Sequence, residues 1–243
     1  MRKLAVLPVA LAAAAVAAAP AAAQVPVTEF KSSAKITPKK AGTKKNPQGV
    51  KLSGSLEFRT ITQGVEPPII TGGQVLIPKG GLYNGGKYRT CSKRTMARDD
   101  SVQNCPKQSI MGKGSGVAFA DTVDAKPDVV FVNGGAKTLW AFTTLYNPAL
   151  VQEPIAIKIQ KRSGKWAYRA TFQVPKVLQV VAGVPVTLRS FKYNIGGKKY
   201  AKEFFATTSC PKNNKYPYEA KAFYLYNDNT TSSSTFKSTV ACR

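Results

Sequence analysis

The stretch IAIKIQKRSGKWAYRATFQV, Ile155 to Val174, decides the fold class. Ile155, Ile157 and Ile159 alternate with Ala156, Lys158 and Gln160. After a turn containing Ser163 and Gly164, Trp166, Tyr168, Phe172 and Val174 share one face, with Arg169, Thr171 and Gln173 on the other. A period of two on both sides of a short glycine turn describes a β-hairpin with one buried and one wet face. Pro175 has no amide hydrogen for a ladder and closes the second strand.

The same reading extends along the chain. Alternating segments fall near Val27–Ile36, Val50–Ile61, Gly73–Ile77, Gly116–Ala120, Val129–Val132, Thr138–Tyr146, Pro185–Asn194, Glu203–Thr208, Glu219–Tyr226 and Thr235–Cys242. Turns rich in glycine and asparagine separate them, among them GGLYNGG, VNGG, NIGGKK and YNDNTT. About eleven short strands predict an all-β protein, a single antiparallel β-sandwich, with a jelly roll as one arrangement that fits. One helix is expected in SKRTMARDDSVQ (Ser92–Gln103), which lies between the first two cysteines and has neither proline nor glycine. KYPYEAKAFYLYND (Lys215–Asp228) alternates tyrosines with Phe223 and Leu225. Apolar residues on both faces favour core packing over stacking on bases or sugars.

The chain begins MRKLAVLPVALAAAAVAAAPAAAQ. Arg2 and Lys3 precede an apolar run, and Ala21 to Ala23 end it with the small residues that signal peptidase accepts. Residues 1–23 therefore read as a signal peptide, and 24–243 as one exported domain. The later apolar stretch Val177–Val186 falls well short of the roughly 20 residues that span a bilayer. Export gives the four cysteines a meaning: Cys91, Cys105, Cys210 and Cys242 are even in number and bound for an oxidising compartment. Three pairings exist. Joining neighbours in sequence favours Cys91 with Cys105 and Cys210 with Cys242. A zinc site is the alternative, but the chain has no CxxC pair and no histidine.

Enzyme motifs thin out on inspection. NCPKQSIMGKGSGVAFA (Asn104–Ala120) combines a cysteine, a serine and Gly112, Gly114 and Gly116. Its GxGxG precedes a strand rather than a helix, so it is no dinucleotide fingerprint. Without histidine, Cys105 has no ordinary base. The glycines are expected where the backbone turns tightly. GLYNGGKY (Gly81–Tyr88) nearly spells a phosphate loop but places Tyr88 where the serine or threonine belongs. SxxK occurs at Ser32–Lys35, Ser209–Lys212 and Ser234–Lys237, about as often as chance supplies in so lysine-rich a chain, and without the companion SDN and KTG signatures. Asp121, Asp124 and Asp128 lie too far apart in sequence for an EF-hand and read as a solvated loop. Asn229-Thr230-Thr231 matches a glycosylation acceptor, uninformative behind a bacterial-looking signal. No metal and no cofactor is expected.

Charge is the strongest functional signal. Lysine and arginine number 36 against 12 aspartates and glutamates, a formal charge of +24. Such a field draws anionic polymers and surfaces. AKITPKKAGTKKNPQGVKL concentrates it: Lys39, Lys40, Lys44 and Lys45 fall in a loop kept irregular by Pro38, Gly42, Pro47 and Gly49. These four are the candidate polyanion-binding residues. The expected partners are an anionic wall polymer, a lipid surface or extracellular nucleic acid. Two other classes stand beside this: an extracellular glycan hydrolase using paired carboxylates, and a purely structural surface protein.

The alanine-rich export signal, KAGTKKNPQG after the first strand, NCPKQSIMGKGSG, and a late SCP with a cysteine in the last strand together resemble a group of secreted actinobacterial proteins of uncharacterised activity. The resemblance spans most of the expected mature chain. It implies export and a β-rich single domain, and transfers no catalytic residue.

Overall fold

The computed structural model describes residues 27–63, 66–98 and 100–243, so the expected signal peptide lies outside the described residues. The chain is all-β and antiparallel, as expected. Strands β1 (Thr28–Thr37), β2 (Gln48–Thr60), β3 (Ile69–Pro78) and the short β4 (Gly81–Tyr83) lead into helix α1 (Lys93–Arg98). Next come β5 (Ile110–Ala120), β6 (Val123–Asp124), β7 (Asp128–Asn133), β8 (Thr138–Leu145), β9 (Val151–Lys161) and β10 (Trp166–Gln173). A helical turn, α2 (Lys176–Gln179), precedes β11 (Val180–Val181) and β12 (Val184–Gly196). The fold ends with β13 (Phe205–Thr207), β14 (Lys215–Leu225) and β15 (Thr231–Ala241).

The expected hairpin is β9–β10, paired Ala170 to Ile159 and Tyr168 to Lys161. Ile155, Ile157, Tyr168 and Ala170 pack against the core from this hairpin. The expected helix is α1, six residues long, with the Ser92 hydroxyl accepting from the Thr95 amide at 3.0 Å. It covers an outer apolar patch of β7 and β8, where Met96, Val132 and Phe142 are buried with Cys91 and Cys105.

The two layers of the body belong to one sheet. Eleven strands follow one another in the order β1-β2-β12-β5-β7-β8-β9-β10-β3-β14-β15. The sheet curls until β1 and β15 lie side by side and β12 faces β3 across the core. An antiparallel circuit of odd number brings its two end strands together running in the same direction. No ladder joins β1 to β15. The seam is crossed instead by Ser234 Oγ donating to the Thr28 carbonyl at 2.9 Å and by Phe30 against Phe236, ring centroids 6.4 Å apart. Amide exchange reads this directly: in β1 and β15 only the alternate amides bonded to β2 and β14 should gain strand-like protection. Equal protection of the amides turned toward the seam would mean that a ladder closes it.

The glycines of β5 are a correction. They do not mark tight turns; the strand starts at Ile110 and runs through all three. Gly116, Gly114 and Gly112 sit opposite Phe191, Tyr193 and Ile195 of β12, and Gly54 of β2 sits opposite Tyr193 on its other side. Directly paired residues share a face, so the missing side chains make room for two aromatic rings. Short-range pattern could not distinguish this use of glycine from a turn, because the ring that fills the space comes from about eighty residues further along the chain.

The interior carries tyrosines rather than aliphatics alone. Tyr216, Tyr218, Ala220, Ala222, Tyr224 and Tyr226 of β14 and its continuation are all buried, which supports the core reading of this stretch. Ser32 shares a 2.6 Å hydrogen bond with Tyr218, which also bonds Tyr193, and Thr28 shares one of 2.7 Å with Tyr226. Burial raises the pKa of Tyr83, Tyr193, Tyr218 and Tyr224, the last to about 12. A raised acid stays neutral in the fold but ionises in the unfolded chain from about pH 10. Stability is therefore complete below about pH 10 and falls as pH rises from there toward the folded values. Melting temperature should hold between about pH 8 and 9.5 and drop steeply above it. A flat profile to pH 12 would show that these phenols are not held neutral by the fold.

Candidate functional site: the basic end of the barrel

Strand directions put the loops 38–47, 79–98 with 100–109, 134–137, 162–165, 197–204 and 208–214 at one end of the barrel, together with residues 242–243. Lys39, Lys40, Lys44 and Lys45 are all exposed there, on the loop between β1 and β2. The loop is irregular but not loose. Arg243 donates from its amide to the Lys39 carbonyl at 3.0 Å and accepts from the Ala41 amide at 2.7 Å. This pair of bonds brackets Lys40 as a parallel bridge would, and zips this end of the seam. The Gly42 amide donates to Thr207 at 3.2 Å, and the Thr43 amide to Asn46 at 2.9 Å.

Both disulfides form as expected, with Cα atoms 5.4 Å apart for Cys91–Cys105 and 5.9 Å for Cys210–Cys242. The second anchors the residue that precedes Arg243, so it also steadies the lysine loop. Neighbouring loops bring Lys198, Lys199, Lys202 and Lys212, and the start of β14 brings Lys215, all exposed, to the same end. Among the described residues, Glu203 and, in the long connection before β5, Asp100 stand against these. Glu66, Asp121, Asp124, Asp128 and Asp228 lie at the opposite end. The bases are thus grouped by the topology although they are scattered in sequence.

A groove of about 750 Å³ opens at this end between the Gly85–Lys87 turn, the 134–137 turn and the tips of β9 and β10. Tyr83, Ile159 and Tyr168 form its apolar part, and Lys87, Lys137 and Lys161 reach it from three sides. Its walls are fixed from within. Asn133, fully buried, donates its side-chain amide to the carbonyls of Gly85, Tyr88 and Arg89 at 2.8 to 3.1 Å and accepts from the Gly135 amide at 3.0 Å. The Tyr83 hydroxyl is 2.9 Å from both the Gly135 and the Thr138 carbonyls. Sequence reasoning passed over this groove. The one available signal was Lys161, which continues the inward row Ile155, Ile157, Ile159 where alternation calls for an apolar residue.

The carboxylates are largely dispersed. Glu29 and Glu57 do line one shallow depression of about 360 Å³ on the outer face of β1 and β2, but Lys31, Arg59 and Arg189 line it too. The ladder sets Glu29 against Arg59 and Glu57 against Lys31, and Lys31 Nζ lies 3.1 Å from Glu29 Oε1. Glu153 pairs with Lys93 at 3.1 Å. Among the described residues no three cysteines, aspartates or glutamates gather as metal ligands, and no helix is long and apolar enough to cross a membrane. Ser32 points inward and Lys35 outward, so that SxxK match brings no hydroxyl to an amine.

No family model matches the chain, and no curated protein matches it. Among solved structures, the major pilin subunit of Bacillus cereus, BcpA, is similar at a TM-score of 0.32 and 10% sequence identity, over 88% of this chain. The chain spans 40% of that protein's length.

Proposed function

We propose that this chain is an exported, non-enzymatic module that captures anionic polymers of the cell envelope or its surroundings through Lys39, Lys40, Lys44 and Lys45. The observation that carries the reading is the pinned loop: four exposed lysines on a backbone held by Arg243 and Thr207, amid further bases and remote from most carboxylates. A loop fixed before binding loses less entropy on contact than a free one. Its field adds to that of the neighbouring loops over a Debye length of about 8 Å. A purely structural surface protein requires no such grouping. The paired-carboxylate hydrolase requires two acids free to act in a cleft, and Glu29 and Glu57 sit among three cations.

The test is retention on immobilised heparin as a function of salt. Replacing the four lysines with alanine should move elution to clearly lower salt. With duplex DNA as ligand, it should reduce the slope of log affinity against log salt by about 3.6, if each lysine neutralises one phosphate. Elution unchanged by the fourfold substitution would remove the proposal. Running anionic vesicles, DNA and wall polymer in parallel tells which polyanion is preferred.

A further inference from the structure

We propose that the groove bounded by Lys87, Lys137 and Lys161 binds a single anionic saccharide unit, a sugar ring carrying a phosphate or carboxylate. It is a site separate from the lysine loop. The proposed function supplies only the choice of ligand class, since envelope polyanions are commonly built of such units.

Six observations converge. At about 750 Å³ the groove falls within the range of small-molecule sites. Among the described residues, three lysines and no carboxylate line it. Lys161 is paired with Tyr168 in the β9–β10 ladder, so its side chain leaves on the core face, at the mouth of the barrel, rather than on the wet face where a solubilising lysine belongs. Ile159 and Tyr168 form an apolar floor beneath that charge, which suits the C–H face of a sugar ring. The side-chain amide of Asn84, also in the lining, donates to the Glu203 carbonyl at 2.7 Å, which fixes its orientation and leaves its oxygen to accept from a sugar hydroxyl. Asn133 and Tyr83 hold the walls in place, so the site stands before the ligand arrives.

The experiment is an NMR amide-shift titration of the full mature chain with N-acetylglucosamine 1-phosphate and, separately, glucuronic acid. Saturable shifts are expected at Gly86, Lys87, Lys137 and Lys161 with at least one of the two. Neutral N-acetylglucosamine and inorganic phosphate should each bind about tenfold more weakly or worse, since each lacks half of the recognised chemistry. K137A/K161A, at two exposed positions, should weaken the charged sugar by about tenfold while leaving the remaining spectrum folded. The fourfold lysine-loop variant should titrate unchanged, which separates failure of this site from failure of the loop. The inference is overturned by any of three results: shifts spread over surface lysines generally, affinity indifferent to K137A/K161A, or inorganic phosphate binding as tightly as the sugar phosphate.

Discussion

Gly112→Ala is expected to destabilise the fold by about 3 kcal/mol, the upper end of the usual cost of overpacking. The sign is informative, because backbone propensity alone predicts the reverse: alanine in place of a strand glycine should gain about 0.5 to 1 kcal/mol. The added methyl would stand 2.3 Å from the Asn194 carbonyl oxygen and 2.8 Å from the Ile195 Cα, both backbone atoms of β12. Neither can swing aside without breaking the β5–β12 ladder. At Gly114 the first obstacle is a side chain, with the new carbon 2.4 Å from Phe191 Cζ. Gly114→Ala should therefore also be destabilising, but partly rescued by Phe191→Leu, whereas the same second change does nothing for Gly112→Ala. Denaturant midpoints of the four variants check this. Equal rescue at both positions would mean that the ring, and not the ladder, sets the spacing of these strands.

Replacing Cys210 and Cys242 together by serine is expected to cost about 3.7 kcal/mol, the chain entropy released by opening a loop of 32 residues. For a protein of this size that lowers the melting temperature by about 10 °C. The Cys91–Cys105 loop, with a separation of 14, should cost only about 3 kcal/mol. The two losses differ in kind as well as in size. Cys242 lies between β15 and Arg243, the residue whose backbone clamps the lysine loop. Opening that bridge should thus weaken heparin retention with every lysine still present, while opening Cys91–Cys105 should leave retention alone. Thermal scans and salt elution of the two double-serine proteins measure both effects. A larger stability loss from Cys91–Cys105, or equal retention in the two, would break the link between the bridge and the loop.

Much of the fold was legible because period-two alternation is local. The pattern in Ile155–Val174 gave the hairpin, and the even-numbered tyrosines of Lys215–Asp228 gave a buried row. Ser92 and the residues after it gave the short helix. The disulfide partners followed from sequence proximity. Legibility stopped where meaning depends on a distant strand. GKGSG reads as a turn until Phe191 and Tyr193 are laid over it. Lys161 reads as the first residue of the KRSGK turn until the β9–β10 ladder pairs it with Tyr168.

By itself, then, the sequence determined the fold class and the concentration of lysine at residues 39–45 and favoured one of three cysteine pairings, since each of these readings depends on spacing along the chain. Only the tertiary structure decided that one sheet curls until β1 meets β15, that dispersed bases share an end, and that a groove opens there. Alternation records the face on which a side chain lies but not its neighbouring strand. Strand partners such as β3 with β14 are chosen by the packing of the whole core, and the position of every loop follows from that choice.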